Sequence, residues 1–111
     1  FKPTDLINIE VGIDWPLSKL RIPCGGGAGG HNGVQSVINE TGSPAFTRLR
    51  VGVGRPAFIE GADNSQRVID YVLSNFSADE KKEIDKALPQ ATKALSTLLK
   101  DGLERAMNLF N

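Results

Sequence analysis

The chain has 111 residues, and 13 basic side chains balance 13 acidic ones, leaving no formal net charge. That length is one small domain or part of a larger one, and 40% hydrophobic with 23% charged content excludes a disordered chain. No apolar run approaches the roughly 20 residues of a membrane span, and no charged-then-apolar leader opens the sequence. Cys24, the lone cysteine, has no internal disulfide partner, which points to a reducing compartment. The first residue is Phe1 rather than Met, so the expectation is that something upstream is missing.

The zero net charge is unevenly spread. Ser18 to Pro56 carries net +4 and Ala57 to Asn111 net −2, so the glycine-rich front half is the side suited to phosphates, unless it is merely solvated surface.

In chain order, Leu6 to Ile13 (LINIEVGI) alternates apolar with polar residues and is rich in β-branched side chains, which predicts a strand. Asp14-Trp15-Pro16 ends it with turn chemistry, and Lys19 to Ile22 predicts a second, short strand. Gly25 to Gly33 has too little side chain to be anything but loop. Val34, Val37 and Ile38 then recur at helical spacing, Asn32 is placed to cap the helix, and Gly42 to stop it. Phe46 to Val53 alternates again, a third strand with Arg48 and Arg50 on one face. Gly54 to Gly61 is loop, and Val68, Ile69, Val72 and Leu73 mark a short helix. Ser77-Ala78-Asp79-Glu80 is a capping box that opens a long helical stripe reaching Met107, where Pro89 predicts a kink or two abutting helices. Strands interleaved with helices make a single α/β domain over residues 1–111, with a small mixed β-sheet flanked by helices.

Several constellations invite chemistry, each against a plainer alternative. Gly25, Gly27 and Gly30 satisfy G-x-G-x-x-G, yet no acid stands about 20 residues on, where position 50 is arginine; no Gly-Lys-Ser/Thr follows for a Walker loop either. Five of the six residues at 25–30 are glycine, which implies mobility or close approach of a ligand and suggests a lid over a cleft. The loop ends at a helix start, where free amides and the positive end of the dipole favour an anion or a carbonyl oxygen. His31 is the only histidine, a candidate general base or simply a loop residue. A Cys24–His31 nucleophile pair lacks a third orienting group in the sequence. No metal-ligand spacing and no cofactor motif emerge. Arg48 and Arg50, with Arg21, form a phosphate-tracking patch or, alternatively, a charged sheet edge facing solvent.

GGHNG at Gly29–Gly33, followed by FTRLRVGVGRP at Phe46–Pro56, resembles the bacterial-type peptidyl-tRNA hydrolase family. Asp14-Trp15-Pro16, the strand start Leu20-Arg21, the stretch from Asp70 to Phe76 and the closing Gly102 to Asn108 resemble further motifs of that family, in order. The likeness covers all 111 residues but only the C-terminal three-fifths or so of a typical member, so the N-terminal part of the fold is expected to be absent. The resemblance implies cleavage of the ester joining a peptide to tRNA, without metal or organic cofactor: a histidine activates water, an aspartate orients it, and amide donors hold the carbonyl. It implies Asn32 as the substrate-binding asparagine, with His31 and Gly30 at the cleft rim. Gly25, Gly26, Gly27 and Gly29 form the gate loop, while Arg50, and Arg21 less directly, face tRNA phosphates. The implied partner is peptidyl-tRNA or another RNA, met as a monomer away from membranes, in the cytoplasm or an organellar matrix or stroma.

Two departures stand out. The family's catalytic histidine and two further asparagines belong to segments this chain does not contain, and the orienting acid would fall on Val11. Glu10, one residue earlier, points to the opposite strand face unless a bulge redirects it. No catalytic residue is therefore assigned within the chain. Two readings stay open: part of a hydrolase, or a hydrolase-derived RNA-binding protein, of a splicing or ribosome-associated kind, that has lost catalysis.

Overall fold

A computed structural model of the chain describes residues 2–13, 15–23, 26–56 and 58–111. Asp14, Cys24 and Gly25 therefore lie outside the described residues, and with them the Asp14 turn, the Cys24 thiol and the first glycine of the gate loop. The elements are β1 (Ile7–Gly12), β2 (Leu20–Arg21), α1 (Asn32–Thr41), β3 (Thr47–Gly52), α2 (Ser65–Leu73), α3 (Ala78–Asp101) and α4 (Leu103–Phe110). The sheet order is β1-β3-β2, with β1 parallel to β3 and β2 antiparallel to it. This is the expected small mixed sheet. β3 is its central strand, so the alternative of a charged, solvent-facing edge at Arg48 and Arg50 is overturned.

Alternation along β3 sorts the two faces. Leu49 is fully buried with Ile22, Ala94, Leu98 and Ala106, which places α3 and α4 on one side. Phe46, just before β3, packs with Ala28 and Val34 on the side of α1 and the glycine loop. The Asn111 side chain closes the first core: its Oδ1 accepts from the Ile22 amide at 2.7 Å and its Nδ2 donates to the Ile22 carbonyl at 3.0 Å, imitating a strand partner. Gly52 is required by packing, because a Cβ there would collide with the Pro16 carbonyl and the Trp15 side chain.

The helix ends follow their chemistry. Ser77 accepts from the Glu80 amide while the Glu80 carboxylate accepts from the Ser77 amide, completing the capping box. Gly42 ends α1 in the left-handed region at φ 74°. Pro89, however, does not divide the helix in two: α3 runs uninterrupted through it and the break comes at Gly102, whose φ of 91° suits glycine. At the start of α1 the cap is His31, not Asn32, with Nδ1 accepting from the Val34 amide at 3.1 Å. A ring nitrogen replaces the usual side-chain oxygen, and Asn32 becomes the first helical residue.

Candidate active-site cleft

The C-terminal end of β1, the glycine loop, the start of α1 and one side of α2 enclose a cavity of about 600 Å³. Val11, Gly12 and Ile13 form its floor, residues 27–33 one wall, Arg50 a side, and Val68, Ile69, Val72 and Leu73 the opposite, apolar wall. It lies where open α/β sheets bind ligands, beyond the carboxyl ends of the strands.

Backbone geometry builds the loop wall. Gly29 and Gly30 adopt φ of 57° and 85°, and a Cβ at either would meet nothing, so the loop presents bare backbone to the cavity. It is nonetheless moored. Ala28 is buried against Val34 and Phe46, and the Gly27 carbonyl accepts from Arg48 Nη1 at 3.0 Å. Gly26 is exposed and lies outside the cavity lining.

His31 is held at both ring nitrogens. Because Nδ1 accepts from Val34, the proton resides on Nε2, which donates to the Val11 carbonyl at 3.1 Å. The ring thus ties α1 to the end of β1. Both ring nitrogens are thus engaged by backbone groups at the edge of the cleft.

Asn32 is placed differently. Its side chain is exposed on the cavity wall and makes no hydrogen bond among the described residues. The Asn32 and Gly33 amides, at the first two helical positions, also lack partners among the described residues. One amide side chain and two backbone N–H groups thus converge at the positive end of α1, donors suited to a carbonyl oxygen gaining negative charge.

Arg48 fails the phosphate-patch expectation. Only 2% exposed, it donates through Nε and Nη2 to the two Glu10 carboxylate oxygens at 2.6 and 3.0 Å, a bidentate pair sealed in the protein. A positive charge so neutralised has no reach to RNA. Arg50 lines the cavity and lies 3.6 Å from Glu10. Arg21 is exposed and does not line the cavity, but it is the register partner of Arg50 across the β2–β3 ladder. The two arginines expected to face phosphates are therefore cross-strand neighbours.

Burial alone would raise the Glu10 carboxyl; the hydrogen bond and charge of Arg48, then the charge of Arg50, more than offset it and hold that carboxyl below its ordinary value. Glu10 is no substitute for an acid at position 11. The β1–β3 register is one-to-one from Ile7↔Thr47 to Gly12↔Gly52, so no bulge turns Glu10 around. Val11, 40% exposed, occupies the cavity floor, and no carboxylate is among the described residues lining it. No group of three or more His, Cys, Asp or Glu side chains among the described residues is arranged to hold a metal, and no helix there is long and apolar enough to cross a membrane.

α2 has no buried residue of its own. Its anchor is Tyr71, whose hydroxyl donates to the Val53 carbonyl at 2.6 Å. Sequence periodicity found the helix; the apolar side that its Val68, Ile69, Val72 and Leu73 present to the cleft went unassigned.

The family model for peptidyl-tRNA hydrolase matches residues 1–111. The chain belongs to the peptidyl-tRNA hydrolase family. It is 43% identical over 110 residues to the peptidyl-tRNA hydrolase of Dehalococcoides mccartyi strain CBDB1, covering 99% of this chain and 57% of that one. The Pseudothermotoga lettingae peptidyl-tRNA hydrolase is 42% identical over 109 residues, with 54% of its length covered. Among solved structures, the crystal structure of peptidyl-tRNA hydrolase from Acinetobacter baumannii matches with a TM-score of 0.83 at 30% identity, covering 99% of this chain and 53% of that one. The chain thus spans little more than half the length of the curated relatives it matches.

Proposed function

We propose that this chain forms the tRNA-facing part of a peptidyl-tRNA hydrolase cleft and contributes to hydrolysis of the ester between peptide and tRNA. Its role is to hold the ester carbonyl and the adjoining phosphates, while the water-activating base and its orienting acid come from outside these 111 residues. The observation that carries this reading is the Asn32 side chain on the cavity wall, without a partner among the described residues, beside two backbone amides at the start of α1 that likewise lack one there. In an ester hydrolysis such donors stabilise the oxyanion as it forms. Arg50 on the cavity side, with Arg21 across the ladder, supplies positive charge for the tRNA backbone.

β1 supports the division of labour. A parallel strand is ordinarily covered on both faces, whereas Ile9 is 56% exposed and, among the described residues, β1 pairs with β3 alone. That edge is open to a further strand. A second reading, an RNA-binding derivative without catalysis, is favoured by Val11 on the cavity floor.

Peptide release from peptidyl-tRNA tests the proposal. The 111-residue chain alone is expected to bind tRNA and to release peptide no faster than the no-enzyme control. Turnover abolished by His31→Ala would overturn the assignment of roles, and absence of tRNA binding at low salt would overturn the function. The same assay on a chain extended to the length of its relatives separates the two readings: turnover supports the hydrolase, its absence the binding protein.

A further inference from the structure

On one face of the sheet, Asn8, Glu10 and Gly12 of β1 stand opposite Arg48, Arg50 and Gly52 of β3, with Glu10 paired to Arg50 and Gly12 to Gly52. Two guanidinium groups meet one carboxylate there. Both Glu10 oxygens already accept from Arg48, at 2.6 and 3.0 Å, whereas Arg50 Nη2 stands 3.6 Å away, beyond hydrogen-bond reach. The Arg50 Nε is buried and has no acceptor among the described residues. Charge draws this guanidinium towards Glu10, but the ion pair alone does not fix its direction.

Gly12 does. A Cβ built there would lie 2.5 Å from Arg50 Cδ and 2.9 Å from Cγ, with Nε next at 3.4 Å. The arginine stem therefore lies flat against bare β1 backbone, in a notch that any side chain at position 12 would fill. The Arg50 side chain is only 22% exposed, yet it lines the cavity. Gly12 is not among the glycines of positive φ, so the space over it, and not its backbone conformation, calls for glycine. Gly52 differs: a Cβ there would strike the Pro16 carbonyl, which is backbone and cannot step aside.

We propose that Gly12 is a positioning residue for Arg50, its missing side chain laying the arginine stem across β1 so that the guanidinium is held on the cavity side for a phosphate of the bound RNA. This role deepens the reading of Arg50 as a phosphate contact and rests on it. A stem already confined to one path loses little rotamer freedom on binding.

The test measures binding of fluorescein-labelled deacylated tRNA, by anisotropy, to the native chain, Gly12→Ala, Arg50→Ala and the double variant. Gly12→Ala changes no charge and displaces only a flexible side chain, so it is expected to stay folded. It is expected to weaken binding on the order of tenfold, the equivalent of one charge-assisted contact. In the Arg50→Ala background the same substitution is expected to add nothing, as for two residues acting as a unit. A purely structural role would instead multiply the two losses.

The second arm needs no RNA and follows the arginine Nε–H groups by nitrogen-edited NMR. The Arg50 Nε–H, shielded from water, is expected to exchange slowly, as that of Arg48 does in its bond to Glu10. In Gly12→Ala the Arg50 signal is expected to be lost while the Arg48 signal persists. Binding unchanged by Gly12→Ala, multiplied losses, or an Arg50 signal that survives would each overturn the positioning role. So would loss of both signals, which would make Gly12 a requirement of the fold. If Arg50→Ala leaves tRNA binding unchanged, the phosphate reading falls, and the NMR arm still decides whether Gly12 places the side chain.

Discussion

Glu10 and Arg48 meet diagonally across the β1–β3 ladder, two residues out of register, and form two hydrogen bonds, at 2.6 and 3.0 Å, with both side chains 3% exposed. Removing one partner strands a buried charge. Glu10→Ala is expected to destabilise the fold by about 3–5 kcal/mol, whereas a double replacement of Glu10 and Arg48 by apolar residues of similar volume recovers most of that loss. Urea unfolding of the two variants checks the contrast; equal losses would contradict it.

The same pair sets the acid limit of stability. Glu10 has a folded-state pKa below its ordinary value of 4.5, so the folded protein resists protonation there more than the unfolded chain does. The pair's contribution is fully present above about pH 4.5 and lost as pH falls through the lower folded-state value. Thermal melts from pH 7 to pH 3 are expected to show a steeper acid limb for the native chain than for Glu10→Gln.

His31 and Asn32, adjacent in sequence, are expected to fail in different ways. His31→Ala removes a helix cap and is expected to cost about 0.5–2 kcal/mol, with partial recovery in His31→Asn. Asn32→Ala removes a side chain that makes no hydrogen bond among the described residues and is expected to change stability by less than about 0.5 kcal/mol while weakening substrate binding. Chemical denaturation beside peptidyl-tRNA affinity distinguishes the two effects.

For Arg50, the expectation is electrostatic. Arg50→Ala should weaken tRNA binding across sequences and lower the magnitude of the log–log salt slope by about 1. An ionic-strength series on both proteins measures it, and an unchanged slope would remove Arg50 from the phosphate contacts.

Tyr71→Phe deletes the hydroxyl that holds α2 to Val53. A global cost of about 0.5–1.5 kcal/mol is expected, together with faster amide exchange confined to α2, where few buried contacts resist local opening.

Much of this architecture was legible in the residues. Period-2 runs located β1 and β3, the Ser77–Glu80 spacing located the start of α3, and the GGHNG and RLRVGVGRP segments carried the family. Three features were not. Whether His31 or Asn32 caps α1 depends on where the chain bends into the helix, which two neighbouring polar residues leave undecided. Arg48 alternates with Arg50 as expected, yet its partner lies 38 positions away, and no local pattern tells a buried ion pair from a phosphate contact. Pro89 forfeits one backbone donor, but Ala87, Ala94 and Leu98 pack along α3 on both sides of it, and tertiary burial outweighs local propensity there.

Arg48 has one further bond, from Nη1 to the Gly27 carbonyl. The guanidinium that neutralises Glu10 therefore also anchors the glycine loop that lines the cavity. Lysine at that position would keep the positive charge but could not span the carboxylate and the loop in one rigid fork. Such a chain would stay folded with the loop unlatched, so that a replacement hidden beneath the cavity wall would reshape the cavity itself.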